Sequence, residues 1–162
     1  MHWASFLFQP TNLSLVALLI SDPASMHEWG EEFGKELRAG DLIVLTGPLG
    51  AGKTALVQGI GKALGILDIT SPTFVISRVH HAAIPLVHVD AYRLLDNPMA
   101  LFDDLDLDTL LDTSIVCIEW GSEVVERLSH DYLELALEYG AGESERTITA
   151  TGHGQRWGQF QL

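Results

Sequence analysis

The alternation of apolar and polar positions divides the chain into recognisable elements. Leu13 to Ile20 predicts a buried strand, preceded by residues 1–12 that are expected to fray. Asp22-Pro23 has the form of a helix N-cap followed by proline at the first helical position. Met26, Trp29, Phe33 and Leu37 then recur at helical spacing, with Gly40 expected to cap the helix. "DLIVLTG" is an apolar run ending in glycine, a buried strand, and Lys53 to Leu64 follows as a helix with Leu56, Ile60 and Leu64 on one face and Gly65 as its stop. "TFVISRVH" and "PLVHVDAY" predict an antiparallel strand pair. Asn97-Pro98 opens a helical stretch to about Leu111, "SIVCIEW" is a further buried strand, and Ser122 to Leu128 a short helix. "YLELALEYG" alternates strictly and "RTITATG" follows a glycine-containing turn, which predicts a C-terminal hairpin over 131–152. No internal repeat or linker interrupts this order. The expectation is a single domain over 1–162 of the α/β class, with a mixed parallel and antiparallel central sheet flanked by helices.

Composition narrows the choice of partners. Of the 162 residues 47 % are apolar and 19 % charged, a globular balance. Nine Lys plus Arg stand against 22 Asp plus Glu, a formal charge of −13 that disfavours an extended grip on nucleic acid, where phosphates must be met by clustered cations. A protein partner, or a small anion held at one focused site, suits this balance better. The single cysteine, Cys117, excludes an intramolecular disulfide, and a reducing cytoplasm is the expected location. The apolar N-terminus lacks a basic leading segment, is interrupted by Pro10 and Asn12, and falls short of a membrane span.

The chemistry is concentrated in "GPLGAGKT", residues 47–54, which fits G-x-x-x-x-G-K-[ST] between a predicted strand and a predicted helix. Gly47, Gly50 and Gly52 let the backbone turn N–H groups toward phosphates, with Pro48, Leu49, Ala51 and Ala55 completing the cradle, and the helix start adds its positive end. Lys53 reaches the β- and γ-phosphates, and the Thr54 hydroxyl is suited to Mg²⁺. The pattern arises by chance in fewer than roughly one in a hundred chains this long, judged from background glycine frequency.

Phosphoryl chemistry also needs an acid at the end of a neighbouring strand. Glu119, directly after the apolar run of "IVCIEW", is a candidate, although aspartate is the usual residue and a plain charged strand exit fits the spacing equally well. Asp90 of "HVDAYR" is another, with His88 on the same strand face; a lone His-x-Asp pair reads more simply as a hydrogen-bonded couple than as a metal site. Thr73 of "ITSPTF" can meet Mg²⁺ or a γ-phosphate from a mobile loop, or be part of a plain turn. "DDLDLD", residues 103–108, fails as a calcium loop: Thr109 stands where glycine is required and Ile115 where the bidentate glutamate should be.

Taken in order, "GPLGAGKT", "TSPTF", "HVDAYRL" and "IEW" resemble the TsaE family of P-loop ATPases involved in making threonylcarbamoyladenosine in tRNA. The resemblance runs from about Asp22 to Trp120 and implies a P-loop α/β fold with a mixed sheet. It further implies ATP and Mg²⁺ as ligands, Lys53 and Thr54 serving phosphates and metal, Thr73 in a switch-like loop, Asp90 and Glu119 as the acids of hydrolysis, and Trp120 as the aromatic after the acid. The implied partner is the TsaD–TsaB heterodimer, whose repeated turnover ATP hydrolysis supports, with no sequence-specific grip on nucleic acid and a monomeric state when alone. Pro48 departs from the family, which commonly has an acidic residue there. The last forty residues carry no matching motif.

Two other classes stay open on sequence alone. A small-molecule kinase shares the loop, but Arg38, Arg78, Arg93, Arg127, Arg146 and Arg156 are scattered rather than gathered in a lid. A nucleotide-binding interaction module without useful catalysis has no distinguishing motif. A GTPase is disfavoured, since no Asn/Thr-Lys-x-Asp guanine motif occurs, and adenine is the expected base.

Overall fold

The computed structural model describes residues 16–72, 76–94 and 105–162, of 93 and 94 the backbone alone. Seven strands form one sheet: β1 (Ala17–Ile20), β2 (Leu42–Thr46), β3 (Ser77–His80), β4 (Leu86–Asp90), β5 (Ile115–Glu119), β6 (Leu133–Tyr139) and β7 (Arg146–Gly152). Their order across the sheet is β1-β7-β6-β2-β5-β4-β3. The four central strands run parallel, whereas β3 at one edge and β7 and β1 at the other are antiparallel to their neighbours. The sheet is thus mixed, in a single α/β domain.

Parallel strands covered on both faces need no polar side, and so read as continuous apolar runs. Leu42, Ile43, Val44 and Leu45 of β2 and Ile115 to Ile118 of β5 accordingly have no solvent exposure. At about 1.5–3 kcal/mol for each large side chain removed from water, these two central strands contribute heavily to the sheet. On one face Ile43, Leu45, Leu86, Cys117, Leu133 and Leu135 pack against α1 (Pro23–Gly34) and α2 (Lys53–Ala63). On the other, Leu42, Val44, Val87, Val89, Val116 and Ile118 meet Leu107 of α3 (Leu107–Leu111), Val125 of α4 (Val125–Leu128) and Tyr132.

The two long helices touch through their backbones. A methyl group on Gly59 would lie 2.3 Å from the His27 carbonyl oxygen, and one on Gly30 2.6 Å from that of Leu56. Only glycine at these positions lets α1 lie so close behind α2. Asp22 caps α1 by accepting the Ser25 N–H at 2.8 Å. The C-terminus of α2 closes as the sequence suggests: Gly65 has φ +79°, and the Ile66 N–H reaches back to the Gly61 carbonyl at 2.8 Å.

Several sequence expectations need correction. The first strand is an edge strand, with Leu19 61 % exposed and Ile20 alone buried; residues 13–15 lie outside the described residues. Helix α1 ends at Gly34 with Lys35 as its cap, so Leu37 is buried beyond the helix. Gly40, at φ +93°, turns the chain into β2 instead of capping α1. The helix around the aspartates is short, Leu107–Leu111, entered through a left-handed Asp106, and 95–104 lie outside the described residues. The helix expected from Ser122 begins only at Val125. β6 and β7 pair antiparallel from Leu133↔Gly152 to Tyr139↔Arg146. After them, α5 (Gly154–Trp157) folds back under α1, where Arg156 grips the buried Asp41 through Nε at 3.1 Å and Nη2 at 3.2 Å.

Candidate nucleotide-binding site

In open α/β sheets, ligands bind beyond the carboxyl ends of the parallel strands. Thr46, Asp90 and Glu119 occupy those ends on β2, β4 and β5, and the sheet register pairs Glu119 with Leu45 on one side and Asp90 on the other. The loop after β2 turns on Gly47, Gly50 and Gly52, with φ of +130°, +77° and +103°. At Gly47 even a methyl group is excluded, since it would lie 2.1 Å from the Leu137 carbonyl oxygen of β6.

These turns bring the loop over a cavity of about 600 Å³ lined by Leu49, Gly50, Gly52, Lys53, Thr54 and Ala55 from the loop and α2. Ser71, Asp90, Tyr92, Glu119 and Trp120 close it from the other side. Gly47, Pro48 and Ala51 are not part of this lining. Ala51 is fully buried beneath the loop, while the Gly47 and Pro48 carbonyls face the Lys53 ammonium at 2.8 and 3.0 Å. Thr73 lies outside the described residues.

Lys53 is only 5 % exposed. Burial pulls its ammonium below the usual lysine range, and the carboxylates of Glu119 and Asp90 oppose that shift. Its Nζ also stands 4.3 Å from the centroid of the Trp120 ring. Trp120 is brought there by a left-handed backbone, φ +63°, its N–H donating to the Leu45 carbonyl at 2.9 Å. A non-glycine residue in that region costs of order 1–3 kcal/mol, and such strain clusters at functional sites. The Tyr92 ring packs on Trp120 with centroids 5.4 Å apart.

The Thr54 hydroxyl donates to Glu119 Oε1 at 3.2 Å, joining the loop to β5. His88 faces the same carboxylate: its Nε2 lies 2.8 Å from Glu119 Oε1. The expected His88–Asp90 couple is therefore replaced by a His88–Glu119 bond: Glu119, opposite Asp90 on the adjacent strand, lies diagonally across from His88 and within reach of its ring. Asp90 instead accepts the Tyr92 N–H at 3.1 Å and stays partly exposed toward the cavity.

The donor set suits a magnesium ion. Mg²⁺ takes one or two carboxylates along with waters and substrate phosphate, and neighbouring oxygens around it stand roughly 3 Å apart. Thr54 Oγ1 and Glu119 Oε1 meet that spacing, with Asp90 nearby to hold a water. Among the described residues no group of three or more His, Cys, Asp or Glu could by itself hold a metal ion.

The C-terminal hairpin contributes what no motif announced. The Tyr139 hydroxyl donates to the Leu49 carbonyl, and Arg146 Nη2 to the Gly50 carbonyl at 3.3 Å. The two rim residues also stack, with the Arg146 guanidinium 4.7 Å from the Tyr139 ring. Both carbonyls of the loop's crest are thus held outward. The only signal in the sequence was alternation placing Tyr139 at the strand end.

The family model for the threonylcarbamoyl adenosine biosynthesis protein TsaE matches residues 20–148, most of the chain. The chain belongs to the TsaE family. It is 48 % identical over 139 residues to the tRNA threonylcarbamoyladenosine biosynthesis protein TsaE of Streptomyces coelicolor, covering 82 % of this chain and 93 % of that one. To the protein of the same name from Bacillus subtilis it is 38 % identical, covering 74 % of this chain and 75 % of the relative. Its fold is similar to the crystal structure of Bacillus subtilis YdiB, with a TM-score of 0.73, 28 % identity and 88 % of each chain covered. The TsaE family comprises nucleotide-binding proteins of threonylcarbamoyladenosine biosynthesis. Among the described residues no helix is long and apolar enough to cross a membrane.

Proposed function

We propose that this TsaE-family chain is a Mg²⁺-dependent ATPase of the cytoplasm that acts with TsaD–TsaB in tRNA threonylcarbamoyladenosine biosynthesis and supports repeated turnover of that pair. The observation that carries the reading is the junction of Thr54, Glu119 and Lys53 around one cavity. Lys53 exchanges the Gly47 and Pro48 carbonyls for phosphate oxygens, so the ammonium finds a partner before and after nucleotide entry. The loop amides and the start of α2 surround the phosphates, as dipoles at a helix N-terminus favour anions. Thr54 and Glu119, with Asp90, would hold Mg²⁺, which would supply positive charge at the β- and γ-phosphates. Asp90 and Glu119 orient waters at the γ-phosphate, and Thr73 responds to its presence. A small-molecule kinase fits less well, because Lys53 is the one cation among the described residues that line the cavity.

Phosphate release measured with and without purified TsaD–TsaB tests this. Glu119→Ala and Asp90→Ala are each expected to abolish release while the fold survives, and Thr73→Ala to impair turnover in the complex more than nucleotide binding alone. Parental rates in both acid variants would refute the assignment of the acids. Wild type that fails to stimulate multiple-turnover tRNA modification would refute the assigned role.

A further inference from the structure

His88 has no exposed surface, yet it sits in a strand whose other interior positions are leucine and valine. A buried polar side chain is costly unless it is bonded. His88 makes one bond, from Nε2 to Glu119 Oε1 at 2.8 Å, and its Nδ1 is buried without a partner. A carboxylate only accepts, so Nε2 supplies the hydrogen of this bond. An apolar residue would suit the sheet better. What the histidine supplies is a single N–H aimed at the acid.

The same Oε1 receives the Thr54 hydroxyl, so two donors from two elements hold one oxygen. The competing attraction is close by, since Lys53 and Glu119 feel each other's charge. A carboxylate free to rotate would turn to the ammonium and withdraw both groups from phosphate and metal.

We propose that His88 is a positioning residue for metal binding: its Nε2–H pins Glu119 at the Thr54 hydroxyl and away from Lys53. The inference rests on the assignment of Glu119 as the magnesium acid. Hydrogen-bonded partners behind a ligating carboxylate are typically worth about 10–100-fold in metal affinity.

The test is calorimetric binding of ADP, with excess Mg²⁺ and with a chelator, to wild type, His88→Gln, His88→Asn and Glu119→Gln. The quantity read is the factor by which Mg²⁺ tightens ADP. Glutamine places an amide N–H where Nε2 stands and is expected to keep the wild-type factor within about threefold; asparagine falls short of Glu119 and should lower it at least about tenfold. Affinity in chelator should stay the same in both, since the phosphate loop is untouched. If His88→Asn does not give a cooperative melt, His88→Leu replaces it and is read in the same way. A wild-type factor in His88→Asn, or equal losses in Asn and Gln variants, would overturn the inference. Glu119→Gln separates the two levels. If it loses the factor while His88→Asn keeps it, only the positioning role falls. If it keeps the factor, or wild type shows none, the assignment of Glu119 falls and the inference with it.

Discussion

Replacing Gly59 by alanine sets helix propensity against packing. In a helix interior alanine is favoured over glycine by about 1 kcal/mol, so propensity alone predicts a more stable protein. The added methyl would, however, stand 2.3 Å from the His27 carbonyl oxygen and 2.9 Å from both the Glu31 nitrogen and the Gly30 Cα. All three atoms are main chain of α1 and have no rotamer to escape into. Overpacking costs about 1–3 kcal/mol, and a rigid neighbour puts this site at the upper end. The net loss is then about 2 kcal/mol, which for a chain of this size lowers the melting temperature by about 4–8 °C. Gly61→Ala is the internal control. It gains the same propensity, but its methyl meets the Ile69 Cδ1 at 2.0 Å, the end of a side chain that can turn aside. Its stability should stay within about 1 kcal/mol of wild type. Thermal denaturation followed by circular dichroism reads both. Gly59→Ala melting at or above wild type, or Gly61→Ala falling as far, would refute the claim that backbone contact sets the spacing of α1 and α2.

Three further outcomes follow from other parts of the molecule. Tyr139→Phe removes the hydroxyl that holds the Leu49 carbonyl outward; at an exposed bond worth about 0.5–1 kcal/mol, it should weaken nucleotide binding two- to fivefold with little change in melting, as read by equilibrium titration. Arg156→Leu leaves Asp41, only 3 % exposed, with its Arg38 N–H bond alone, and a loss of about 2 kcal/mol is expected by urea denaturation, below the cost of breaking a fully buried pair because Arg156 is itself partly solvated. Burial above all, with His88 and Arg78 close by, holds His80 below its ordinary value of 6.5, against the pull of Asp68. The unfolded chain therefore takes up its proton first on acidification, so the contribution of His80 is complete above pH 6.5 and declines below it. Melting temperatures between pH 7.5 and 5.5 should fall less steeply in His80→Gln.

The sequence made the phosphate loop legible because its chemistry is local. Three glycines, Lys53 and Thr54 lie within eight residues, and a strand and a helix must flank them. β2 and β5 were equally plain, since a strand buried on both faces shows as an unbroken apolar run. Distances across the sheet were less accessible. Whether His88 served Asp90 two residues on or Glu119 on the next strand depends on register, which no local pattern encodes. The same holds for Tyr139 and Arg146, whose bonds to the loop span ninety or more residues. Edge position also hid from view: Leu13 to Ile20 is apolar enough for a core strand, but β1 pairs on one side only, with β7.

The place of β2 in the sheet has a consequence for the protein during its synthesis. Its two neighbours, β5 and β6, both come later in the chain, and the Leu137 carbonyl that receives Gly47 comes about ninety residues after it. At ribosomal rates of 5–20 residues per second, roughly 5–20 seconds separate the appearance of the phosphate loop from that of its last wall. A nascent or prematurely terminated chain ending before Tyr139 carries the whole G-x-x-x-x-G-K-T signature but not the surface that shapes it. Such a fragment should draw less stabilisation from nucleotide than the finished chain, because ligand binding favours only a conformation that can bind. Nucleotide is therefore expected to stabilise finished molecules over incomplete ones.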